Sequence, residues 1–103
     1  MFARLLTGHL KPGKFELTTG LLEEKVIPLL KEQPGFCDEI SFFNQKENEA
    51  VAISLWKDKS DLERYDREIY PQVRETMAES LEGTPALSTF EEGNSTWYNI
   101  HVD

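Results

Sequence analysis

The sequence predicts an α+β domain in which an antiparallel sheet carries two helices on one face. Two observations lead there: short runs rich in aromatic and β-branched residues are interleaved with two longer stretches of helical periodicity, and Pro- or Gly-containing turns separate them. The 103 residues fit one domain over 1–103, and 39% hydrophobic with 29% charged residues is a globular composition. Nineteen acidic against eleven basic residues leave a net charge of −8. That charge repels phosphates and anionic headgroups, so neither nucleic acid nor a membrane surface is an expected partner. Uncharged runs are too short to cross a bilayer, no secretory signal opens the chain, and Cys37 is the single cysteine, so a cytoplasmic location is expected.

Residues 2–9 read as the first strand, closed by the turn Lys11-Pro12-Gly13-Lys14. Phe15, Leu22, Val26, Leu29 and Leu30 then fall at helical spacing up to the stop signal Pro34-Gly35, and Pro28 predicts a kink within that helix. Runs at 36–43 and 50–56 flank a polar loop and read as a hairpin. Ser60 with Glu63 has the spacing of a capping box and predicts the start of a second helix, whose apolar stripe is Leu62, Tyr65, Ile69, Val73 and Met77. Pro71 should break this helix, which is expected to restart there and to close at Gly83. Residues 86–90 read as a further strand, and 96–102, beyond the Gly93-Asn94 turn, as one more.

The order is that of the ferredoxin-like βαββαβ arrangement, whose helices cover one sheet face only. In the third strand Val51, Ile53 and Leu55 alternate with Ala52, Ser54 and Trp56. The more apolar set is expected to meet the helices. Phe43 and Trp56, among Ser41, Ala52 and Ser54, would then lie on the open face, which sheet-to-sheet pairing in a homodimer would cover, helped by the segment around Trp97 and Tyr98.

Several short motifs carry a resemblance. The Lys11-Pro12-Gly13-Lys14 turn, Pro28-Leu29-Leu30, Pro34-Gly35-Phe36, and the run Leu55-Trp56-Lys57-Asp58-Lys59-Ser60-Asp61-Leu62 are similar to the antibiotic-biosynthesis-monooxygenase-like (ABM) domain over residues 1–92. The resemblance implies a dimeric α+β barrel. It also implies activities ranging from cofactor-independent oxygenation of aromatic polyketides and quinols to haem degradation. Trp56 matches the tryptophan that ends the third strand in that family. The polyketide-oxidising members have an asparagine on that strand, where this chain has Ala52-Ile53-Ser54-Leu55. The haem-degrading members hold iron with a histidine on the second helix. This chain has none between Ser60 and Gly83, so no haem, and no other cofactor, is expected.

Candidate chemistry is sparse. His9, at the end of the first strand, has a side chain suited to general-base work near neutral pH and is the one catalytic candidate, with a partly exposed surface residue as the plain alternative. Trp56, Tyr65 and Tyr70 form an aromatic set that suits a flat hydroxylated ring as ligand, the alternative being core and interface packing. His101 lies close to the chain end. The acidic runs have no ligand spacing, so no metal is expected, and Cys37 has no basic neighbour to favour a thiolate. Two functions follow. The first is a cofactor-independent monooxygenase-like protein, an oxidoreductase acting on a small aromatic or quinol-type substrate. The second is a non-catalytic dimeric module for small-ligand binding or assembly.

Overall fold

The computed structural model describes residues 1–96. Four strands, β1 (Phe2–Leu10), β2 (Phe36–Asn44), β3 (Glu49–Trp56) and β4 (Leu81–Glu91), form one antiparallel sheet in the order β2-β3-β1-β4. Helical segments α1 (Phe15–Leu21), α2 (Ile27–Lys31), α3 (Lys59–Glu68) and α4 (Tyr70–Met77) connect β1 to β2 and β3 to β4. The expected α+β, ferredoxin-like fold is therefore present. None of the described helices is long and apolar enough to cross a membrane. The expected strand at 96–102, with Trp97, Tyr98 and His101, lies outside the described residues except for Thr96, which is in a bend.

Both prolines stand where their helices are interrupted. Between α1 and α2 a π-helical turn, Leu22–Val26, has the Ile27 N–H reaching back to the Leu22 carbonyl. In an uninterrupted α-helix the Pro28 ring would strike the carbonyl four residues earlier, and the wider turn opens the helix just before it. Pro71 stands in the first turn of α4, after α3 has ended at Glu68, and there its missing N–H costs nothing.

Two local expectations fail. The second helix begins at Lys59 with Asp58 as N-cap, and no side-chain cap bond forms, so Ser60 and Glu63 do not make a capping box. Ser60 is already inside the first turn, where its hydroxyl has no orphan N–H ahead of it to accept. Nor does Gly83 terminate the last helix, which ends at Met77 with the Ser80 N–H on the Met77 carbonyl. Gly83, at φ 71°, sits inside β4 where the pairing with β1 shifts between Thr7 and His9. Its left-handed backbone serves a bulge.

The register decides the faces. Phe2 lies opposite Trp56, Arg4 opposite Ser54 and Leu6 opposite Ala52, while Glu39, Ser41 and Phe43 of β2 face Ser54, Ala52 and Ala50. Directly paired residues share a face. Trp56, fully buried, packs with Val26, Leu30, Leu62, Tyr65, Tyr70, Val73 and Met77 in the core beneath the helices. The assignment expected from the sequence is therefore reversed. Trp56, Ser54, Ala52 and Phe43 meet the helices, and Val51, Ile53 and Leu55 share the open face with Ile40, Phe42 and Phe90. The last three are 40, 56 and 55% exposed. The physical reason is that the helix-covered face is incompletely filled and carries polar groups, while the apolar alternation of β3 belongs to the side that no helix covers.

Candidate functional site

A cavity of about 80 Å³ lies between the helix-covered sheet face and both helical segments. Leu6 and Leu10 of β1, Leu22 and Val26 of the π-helical turn, and Val73 and Met77 of α4 give it a mainly apolar wall. The wide turn ahead of Pro28 thus opens the helix where the helix borders the cavity. Polar tips are few: Arg4, Thr18, Glu39, Ser41, Ser54, Tyr65, Tyr70 and Arg74. An apolar enclosure with a small number of fixed polar groups is the usual form of a small-molecule site.

Arg4 is its least expected member. The residue is only 5% exposed, in the middle of β1. Its Nε–H donates to Asp66 Oδ1 of α3 at 2.5 Å. The guanidinium lies 4.3 Å from the Tyr70 ring centroid and 5.1 Å from that of Tyr65, within cation–π range of both. A carboxylate and two rings therefore hold its position. Its Nη2 has no hydrogen-bond partner among the described residues. Leaving such a buried charged donor unsatisfied is costly.

Ser54 stands directly across from Arg4 on the same face and is also 5% exposed. Its Oγ accepts from the Trp56 Nε1–H at 2.9 Å, which fixes the hydroxyl through one lone pair. On β2 the Ser41 hydroxyl donates to Glu39 Oε1 at 2.5 Å, occupying part of that carboxylate. Burial pushes the Tyr65 phenol up to about 12 against a lowering influence from Arg4, so it stays neutral across the physiological range.

Of the four residues singled out by sequence, Tyr65 and Tyr70 line the cavity, with ring centroids 6.3 Å apart. Trp56 does not. It lies behind the wall, against Phe36 at 5.5 Å and Tyr65 at 5.2 Å, and reaches the site through Ser54. His9 is exposed, opposite Glu49 and Glu82, while its neighbour Leu10 turns into the core and lines the cavity. Strand alternation therefore puts His9 on the other face. Sequence reasoning passed over Arg4 and Ser54. The available signal was a charged residue at the inward parity of β1, between Phe2 and Leu6. Its partner Asp66 is 62 positions away. Among the described residues no group of three or more His, Cys, Asp or Glu side chains is placed to hold a metal ion.

No family model matches the sequence, and no curated protein matches it. Solved structures do. A monooxygenase from Streptomyces coelicolor, crystallised with nanaomycin D, superposes with a TM-score of 0.75 at 18% identity, over 91% of this chain and 88% of that one. A candidate antibiotic biosynthesis monooxygenase from Nitrosomonas europaea gives 0.74 at 13% identity, over 88% of each chain. The fold is that of the ABM monooxygenases. A conserved protein from Methanosarcina mazei shares it equally well, at 0.75 and 15% identity, over 89% of this chain and 92% of that one. At such identities the likeness establishes the ABM fold and leaves activity to the residues of this chain.

The raised Tyr65 pKa has a consequence for stability. A phenol at about 12 in the folded chain, against 10.0 as its ordinary value, favours folding fully below pH 10 and loses that contribution as pH rises through 12. Tyr65→Phe removes the titration. Urea midpoints should therefore fall less in the variant than in the parent between about pH 9 and about pH 12, by an amount equivalent to about 2 kcal/mol. Parallel losses in the two proteins would show that Tyr65 is not buried as described.

Proposed function

We propose that this protein is a cofactor-independent monooxygenase-like enzyme that acts on a small aromatic or quinol-type molecule, and that it works as a homodimer joined through the open sheet face. The observation that carries the first part is the mainly apolar cavity walled by Tyr65 and Tyr70 on an ABM fold. The Streptomyces coelicolor monooxygenase was crystallised with nanaomycin D, and a small flat ring is the ligand shape that aromatic walls favour here too.

The chain's contribution would be positional and electrostatic. Apolar walls from the helices and the sheet exclude water and hold a ring in one orientation. Oxygen chemistry of this kind draws its electrons from the substrate. A reduced ring carbon bearing two hydrogens takes one oxygen atom from O2 to become a carbonyl, and the second oxygen leaves with both hydrogens as water. Tyr65, protonated up to about pH 12, is no base at neutral pH, and His9 lies on the other face. Among the described residues no histidine lines the cavity, and in this reading the proton is given up to solvent.

The second reading is a ligand-binding module without turnover, favoured by the lack of a histidine on the cavity wall among the described residues. Oxygen-electrode measurements with a panel of hydroquinones and anthrones separate the two. Enzyme-dependent uptake of one O2 per ring oxidised is the expected result. Saturable binding of those rings without uptake would replace the oxygenase by the binding module.

The dimer rests on the open face, where Ile40, Phe42 and Phe90 stand exposed beside Val51, Ile53 and Leu55. Leaving an apolar sheet face of this kind in water is unfavourable, and a second copy offers the complementary surface. Light scattering at micromolar concentration should give twice the 11.9 kDa chain mass. Phe42→Asp, which sets a charge against the partner at a cost of several kcal/mol, should return it to the single-chain mass. A parent protein at the single-chain mass would end the dimer proposal.

A further inference from the structure

The Arg4 guanidinium is more completely prepared than packing alone requires. Asp66 occupies its Nε–H, Tyr70 and Tyr65 flank it, and Nη2 is left without a partner in a residue that lines the cavity. Opposite it in the β1–β3 register, Ser54 uses its oxygen to accept from Trp56. A hydroxyl has one proton to donate as well, and no bond donated by Ser54 forms among the described residues. Side chains of residues directly paired across two strands begin about 5 Å apart. Two buried donors thus stand side by side on the sheet, each fixed from behind, one by a carboxylate and one by an indole.

We infer that Arg4 and Ser54 form an oxyanion receptor in the cavity floor, and that the ligand is a ring carrying an ionised oxygen, a phenolate or an enolate, bound to Arg4 Nη2 and the Ser54 hydroxyl. This rests on the reading of the cavity as an aromatic site and adds the ionisation state of what enters it. Asp66 is the counter-ion of Arg4 and does not line the cavity, and on the wall Arg74 and Glu39 carry opposite charges, so the four groups balance and the receptor rests on its two donors rather than on excess positive charge. Glu39 is partly satisfied by Ser41, and Tyr65 stays neutral until about pH 12, so it does not supply Arg4 with a counter-anion. Charge-assisted hydrogen bonds are the stronger kind, and an apolar surrounding strengthens them further.

A receptor of this kind accounts for a wall that has no histidine among the described residues. The ligand loses its proton to water before or on entry, and the protein holds the electron-rich anion. Arg4 and Ser54 are therefore binding groups that select a protonation state.

The test uses the unmodified protein with 4-nitrophenol, whose neutral and ionised forms differ in absorbance, and with its neutral methyl ether, 4-nitroanisole. The phenol should bind as phenolate, with its apparent pKa lowered by at least one unit, a tenfold preference for the anion. The ether should bind at least tenfold more weakly. Arg4→Gln should abolish the pKa displacement, and Ser54→Ala should reduce it severalfold, with far-ultraviolet circular dichroism confirming that both variants fold. The comparison of phenol with ether needs neither variant. Equal affinity for both, with no change in the phenol's ionisation, overturns the receptor and leaves the aromatic cavity standing. Failure of both to bind overturns the receptor and the cavity reading together. Phenolate binding as described, with no oxygen uptake from any quinol, supports the receptor and removes the oxygenase.

Discussion

The pairing of β1 with β3 is the constraint on which the rest of the structure depends. With Phe2 opposite Trp56 and Arg4 opposite Ser54, one parity of each strand is committed to the helices and the other to the open side. A slip of one residue would exchange every side chain between the two faces. Trp56 would leave the core cluster it shares with Leu62 and Tyr65, and Arg4 would lose Asp66 and both tyrosine rings. Tryptophan burial resists that exchange most strongly. Trp56 has no exposed surface, and its indole N–H is satisfied by Ser54 two residues earlier on the same face.

The same register yields a sheet whose two faces differ in a way that serves the site. The helix-covered face is not filled to capacity. Small residues Ala50, Ala52 and Ser54 on β3, together with the π-helical turn before Pro28, leave space that larger side chains would close. Close packing is the norm in protein interiors, so a retained cavity beside a buried guanidinium is a specific feature of this chain. The tie between Arg4 and Asp66 spans β1 and α3, so one ion pair both anchors the second helical segment and orients the donor. Gly35 contributes on the other side of the core. At φ 79° it lies so near Asp61 that a Cβ there would stand 2.7 Å from the Asp61 Cβ, which lets the start of β2 pass under α3.

Much of this was legible from residue order. The element sequence, the turn at Pro12-Gly13, the two proline interruptions and the stripe carrying Tyr65 follow from local periodicity and backbone chemistry, which act over a few residues. The face of β3 was not, because the rule that the more apolar side turns inward presumes that the helices are the only cover. Here Val51, Ile53 and Leu55 turn to the open side, and the helices take Trp56 with two alanines and a serine. Arg4 escaped for a different reason. A charge in a strand declares its purpose only through partners, and those partners, Asp66, Tyr65 and Tyr70, come from another part of the chain. Ser60 shows the reverse error: its spacing to Glu63 matched a motif, but the helix had begun one residue earlier.

The central claim is that the ligand face is the one bearing Arg4 and Ser54, beneath the helices. It is tested most directly by nuclear magnetic resonance on isotopically labelled protein titrated with 4-nitrophenol. The account predicts that the Arg4 side-chain N–H signals, the Ser54 amide and the ring signals of Tyr65 and Tyr70 move most, and that those of His9, Ile40, Phe42 and Phe90 stay in place. Shifts concentrated at Ile40, Phe42 and Phe90, with Arg4 and Ser54 unmoved, would contradict it.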